Sequence, residues 1–72
     1  MASRLGYRAY LATPPDLRRE YAVVFMKAKH DASEKEARAA WRLVADKHPM
    51  NWGELEAMSV HALKVVKGTA ER

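Results

Sequence analysis

Ser33-Glu34-Lys35-Glu36-Ala37-Arg38-Ala39-Ala40-Trp41-Arg42-Leu43-Val44-Ala45-Asp46-Lys47-His48 carries a start signal, a stop signal and an apolar stripe. Ser33 with Glu36 three residues on is the pattern of a capping box, in which each side chain takes a backbone N–H that the first turn leaves unpaired. Pro49 is the stop, because the residue before a proline is pushed out of the helical region. Between them Ala37, Ala40, Trp41, Val44 and His48 recur at the 3.6-residue period. The spacing predicts a helix over 34–48 with Trp41 turned toward a core built by other helices.

Working outward, Thr13-Pro14-Pro15-Asp16 opens a helix over 14–30. Thr13 can cap it, Pro14 suits the first helical position, and Asp16 faces the positive end of the helix dipole. Leu17, Tyr21, Val24, Phe25 and Ala28 form its apolar stripe, expected to face Trp41. Arg19, Val23, Met26 and His30 then project away from that stripe. Asp31-Ala32-Ser33 is short enough to make the two helices neighbours. On the other side, Asn51 can cap a helix over 52–67 with Glu54 as its third residue. Met50 and Leu55 are placed to form a hydrophobic staple. Leu55, Met58, Ser59, Ala62, Leu63 and Val66 continue its stripe, and Gly68 is the expected stop. Leu5, Tyr7 and Leu11 fix no period in residues 1–12, which read as a mobile arm or one loose helical turn. The expectation is an all-α fold: a small three-helix domain over 13–68, a flexible N-terminal arm over 1–12 and a frayed end over 69–72. Its core is expected to hold Leu17, Tyr21, Phe25, Trp41, Val44, Leu55, Met58, Ala62 and Leu63.

At 72 residues without cysteine, the chain cannot rely on disulfides or thiolate-bound zinc. That composition fits a reducing compartment. Residues 1–12 lack the apolar core of a secretory signal, and no run approaches the roughly 20 apolar residues that cross a bilayer. A soluble cytoplasmic protein without membrane insertion is expected. Thirteen Lys and Arg against nine Asp and Glu give a formal charge of +4, which favours acidic surfaces: nucleic acid, anionic lipid or an acidic protein. Catalysis is not expected. His30, His48 and His61 stand singly, outside any H-E-x-x-H spacing, and no G-x-S-x-G, phosphate-cradling glycine loop or cysteine nucleophile is present. No catalytic residue, metal ligand or cofactor is assigned.

Two helices joined by three residues have helix-turn-helix spacing. A recognition helix, however, presents its first turn to bases and phosphates. Here the first turns read Glu34-Lys35-Glu36 and Trp52-Gly53-Glu54, whose acidic groups would repel phosphate. Non-specific binding of nucleic acid through Arg18, Arg38 and Arg42, with Arg19 and Lys27, is the alternative reading.

Pro15 through Ala28, with Tyr21, Phe25 and Ala28 in register, together with Ala40-Trp41 followed by Val44, resembles the ChaB-like family, named for regulation of cation transport. The resemblance covers residues 14–48. It departs from the family at Met26, at the short Asp31-Ala32-Ser33 connection and after Pro49. It implies a helical fold and a role in regulating a cation antiporter, and it carries no functional residue onto this chain.

By elimination, the expected function is that of a small non-enzymatic regulator binding a larger protein with an acidic surface. Bacterial accessory proteins and phage-encoded inhibitors of host machines are of this kind. The expected contact surface is Arg19, Val23, Met26, Lys27 and His30, with Tyr7, Arg8 and Tyr10 of the arm. Val23 and Met26 need a cover. If the arm supplies it, the patch is structural; if not, flexible Met26 between basic groups suits an acidic partner.

Overall fold

The computed structural model describes residues 8–70, with side chains as far as Gly68. Among these residues the fold is all-α. A short helical turn, α1 (residues 8–12), precedes three longer helices: α2 (Pro15–Lys29), α3 (Glu34–Lys47) and α4 (Trp52–Ala70). No described helix is long and apolar enough to cross a membrane.

The local signals around α3 act as their chemistry dictates. Ser33 Oγ accepts from the Glu36 N–H at 3.1 Å, and Glu36 Oε1 accepts from the Ser33 N–H at 2.9 Å, completing the capping box. At the other end His48 adopts φ 52, the left-handed conformation that closes many helices, and buried Pro49 follows. Asn51 Oδ1 caps α4 by accepting from the Glu54 N–H at 2.8 Å, while Glu54 Oε1 accepts from the Met50 N–H at 2.7 Å.

Three boundary expectations are corrected. Thr13 does not cap α2; its hydroxyl donates to the Ala9 carbonyl at 2.7 Å, closing α1. Pro14 is the cap residue without any side-chain capping bond, so Pro15 takes the first helical position. Gly68 does not stop α4, which continues to Ala70. A glycine ends a helix by turning left-handed, and among the described residues no glycine has positive φ.

The larger correction concerns α2. Its buried residues are Ala22, Val23 and Met26. The expected core stripe is turned outward: Leu17 is 58% exposed, Val24 60% and Tyr21 42%. At about 100° per residue Met26 lies diametrically opposite Leu17, so the helix is rotated by half a turn from the expected orientation. The reason lies in what it packs against. Ala37 and Ala40 of α3 and Ala22 of α2 are fully buried small residues, which let the helices approach closely, and Val23 and Met26 fill the space beside them. The rotation is clamped at the edge by Lys27–Glu34 (2.7 Å) and by Arg38 reaching Glu20 (3.7 Å). The rest of the core is Tyr10, Ala32, Val44, Leu55, Ser59, Ala62 and Leu63, with Phe25, Trp41, Trp52, Met58 and Val66 partly buried against it. Ser59 is satisfied by donating to the Leu55 carbonyl at 2.6 Å.

Candidate protein-binding site

The side chains expected to form the binding surface are distributed by the rotation of α2. Val23 and Met26 are core, with 2% and 0% exposure, so they cannot meet a partner. Arg19 is held within the chain. Its guanidinium lies 3.8 Å from Asp16 and 3.5 Å from Glu20, the latter an approach without hydrogen-bond alignment that leaves Nε unbonded. Lys27 is committed to Glu34. The His30 ring packs edge-on against Phe25 at 5.0 Å. Arg8 is exposed, and Tyr7 lies outside the described residues.

Tyr10 is also a correction, because it is a core residue and not a helper on a free arm. Only 2% of it is exposed, its ring stands edge-on to Trp52 at 5.0 Å, and the Arg18 guanidinium lies 4.4 Å from the ring centroid. Burial pushes the Tyr10 phenol above its usual range, against the opposing pull of Arg18. The same Arg18 donates to the carbonyls of Tyr10 (3.1 Å) and Leu11 (3.1 Å). Of the three arginines named for nucleic acid, Arg18 is thus occupied in holding α1. Arg38 pairs with Glu34 and Glu20, and Arg42 stands exposed.

Grooves open on the surface formed by the described residues, two of them well defined. The larger, about 540 Å³, runs between α3 and α4 and is lined by Leu43, Asp46, Lys47, Ala57, Met58, His61, Ala62 and Val65. Leu43 is 38% exposed and Val65 47%, so its apolar wall is open to a partner. It faces away from α2. On α3, Leu43 lies across the helix from Glu34, which bonds α2, and on α4 Val65 lies across from Glu56, which accepts from the Tyr21 hydroxyl at 2.6 Å. Lys47 stands on its rim, and Lys64 shares the outer face of α4 with Ala57 and His61. Asp46 is the one acidic residue lining the groove, and Arg42 lies one turn before it on the same face.

The smaller groove, about 380 Å³, lies between α1 and the α3–α4 connection and includes Tyr10, Arg18, Trp41, His48 and Met50. Arg18 is the one Lys or Arg side chain lining it, and it is already bonded to α1. Met50 contributes to this groove, where its side chain stays 45% exposed.

The chain matches no family model, no curated protein and no solved structure.

Sequence reasoning missed the larger groove because it is formed by two edges. Leu43 was visible in the sequence, but it lies off the Ala37–Ala40–Val44 stripe, and Val65 lies off the Leu55–Ala62–Val66 stripe. Only the pairing of α3 with α4 brings these off-stripe residues together. Among the described residues, no three His, Asp or Glu side chains converge in a way that could hold a metal ion.

Proposed function

We propose that the chain is a non-enzymatic protein-binding regulator whose α3–α4 groove receives an acidic amphipathic helix of a larger partner. The observation that carries this reading is the apolar wall of Leu43, Met58 and Val65, with Leu43 and Val65 exposed, lined also by Lys47 and with Lys64 one step round α4 from it. A helix laid along it would add a further helix to the bundle. Its apolar residues at i, i+3/i+4 and i+7 would enter the groove, and its flanking carboxylates would meet the two lysines. The charge of +4 supports attraction of an acidic segment over a distance as well as at contact. The resemblance of residues 14–48 to the ChaB-like family points the same way, toward a regulator without chemistry of its own. The nucleic-acid reading is weaker, because Arg18 and Arg38 are bonded inside the chain.

The test uses two synthetic helical peptides with the same apolar stripe, one flanked by Glu and one by Lys, and follows binding by fluorescence anisotropy. The acidic peptide should bind, and salt should weaken it. Leu43→Glu with Val65→Glu should weaken it roughly tenfold or more, about 1.4 kcal/mol or above, without lowering the melting temperature. Equal binding of both peptides, or no loss in the double variant, would remove the groove from consideration. A duplex DNA titration run alongside addresses the alternative, and tight salt-sensitive binding there with no peptide binding would favour it.

A further inference from the structure

The two lysines beside the α3–α4 groove stand at opposite ends of it. The helices run antiparallel, and Lys67 of α4 lies 4.0 Å from Glu36 of α3, which fixes their register. Counting along both helices from that contact sets Lys47 level with about residue 56 of α4. Lys47 and Ala57 line the groove together, as this register requires. Lys64 is about eight residues further along α4, or about 12 Å at ~1.5 Å per residue. Both lysines are exposed. Among the described residues neither is held in an ion pair, whereas Lys27 and Lys67 are.

The diagonal between them has a hand. Seen from above, a right-handed helix running upward steps counterclockwise. On α4 that order runs from the groove at Met58, through the buried Leu55 and Ser59, to Glu56 on the side facing α2. Viewed from the groove with α4 running upward, α3 therefore stands on the right. Lys47 is low on the right wall and Lys64 high on the left. The remaining charges leave this diagonal intact. His61 is on the same wall as Lys64, one turn below it, and Arg42 and Asp46 offset one another at i and i+4 on the outer edge of α3.

We infer that the partner helix carries its two anchoring carboxylates at i and i+8, one on each flank of its apolar stripe. The inference rests on the reading of the groove as the seat of an acidic helix and adds the pattern that helix must have. Eight residues advance a helix about 12 Å and turn it by a net angle of about 80° at ~100° per residue. Seen from above the turn is counterclockwise, from the low right flank across the inner face to the high left flank, and this meets both lysines. Reversing the peptide end for end exchanges the two positions and keeps them on the same diagonal, so the pattern holds for either direction. Carboxylates at i and i+6 fall on the opposite diagonal, and at i and i+7 they share one flank.

Three helical peptides of one composition test this by fluorescence anisotropy. They keep one apolar stripe and carry two Glu at i and i+8, at i and i+6, or at i and i+7, with Gln elsewhere on the flanks. The first should bind about fivefold tighter than the others at low salt, within what two exposed ion pairs supply. The margin should close at about 0.5 M salt. Lys64→Gln should remove the preference and leave weaker binding, while Arg42→Gln, off the diagonal, should keep it. Equal binding of all three by wild type, or a preference that persists in Lys64→Gln, would overturn the inference. If Leu43→Glu with Val65→Glu still abolishes binding in those cases, the groove itself stands. Absence of binding by every peptide would overturn both.

Discussion

Glu34 and Glu36 begin α3 and do different work with the same functional group. Glu34 accepts from Lys27 of α2 at 2.7 Å and from Arg38 one turn on, and these bonds hold its carboxyl below its ordinary value of 4.5. Glu36 is lowered chiefly by the Ser33 N–H of the capping box, with Lys67 of α4 adding to the effect. In both cases the folded state favours the ionised form. The stability this contributes is present above the unfolded value of 4.5 and is lost as pH falls through the depressed folded values. Thermal melts from about pH 6 down to about pH 3 should therefore be flat at first and then decline below pH 4.5. Glu34→Gln with Glu36→Gln should lower the plateau slightly and make the decline shallower. The pairs are solvent-exposed and salt-screened, so the change is modest. A double variant whose melting temperature falls in parallel with wild type over the acid range would show that other carboxylates govern the acid limb.

At the scale of elements, the ends of the helices were legible in the sequence where a signal is local. The Ser33–Glu36 box and the Asn51 cap each need only residues within four positions, and both form as read. The face of α2 was not legible, because periodicity identifies a helix without saying which of two apolar faces is buried. The larger side chains lie on the Leu17–Tyr21–Val24 face. The buried face is the one whose small Ala22 fits the small Ala37 and Ala40 of α3. The turn that sets this orientation is also cryptic: Asp31 sits at φ 53, a left-handed conformation usually signalled by glycine, while the His30 and Ala32 amides both donate to the Met26 carbonyl. The assignment has a sharp consequence. Met26→Ala should cost about 2–5 kcal/mol, because a fully buried side chain leaves a cavity. Val24→Ala, two residues away on the open face, should stay within about 0.5 kcal/mol. Urea denaturation of the two variants in dilute solution decides this, and a Val24→Ala cost matching that of Met26→Ala would restore the outward-facing reading of Met26.

For the molecule as a whole, Tyr10 of α1 joins three elements. Its ring is wedged edge-on against Trp52 at the start of α4, with Arg18 of α2 over it, and Arg18 in turn fixes the α1 backbone through two carbonyls. Short helical segments are marginal in water without tertiary packing, and this contact supplies it for the described part of α1. The dependence runs in both directions, since Trp52 loses its cover if α1 departs. A chain of 72 residues has a total stability of about 4–11 kcal/mol at ~0.05–0.15 kcal/mol per residue. Removing a buried aromatic ring costs about 3–5 kcal/mol, a large share of that total. Tyr10→Ala should therefore detach α1, expose Trp52 and lower the melting temperature steeply, with a red shift in tryptophan emission before global unfolding. Tyr10→Phe keeps the ring and alters only the polar tip, so it should lose less than about 1.5 kcal/mol. The two substitutions separate packing from hydrogen bonding at one position. If Tyr10→Ala melts with wild type and its emission is unchanged, the chain from Arg18 onward folds without α1, and the Tyr10 contact is incidental to the bundle.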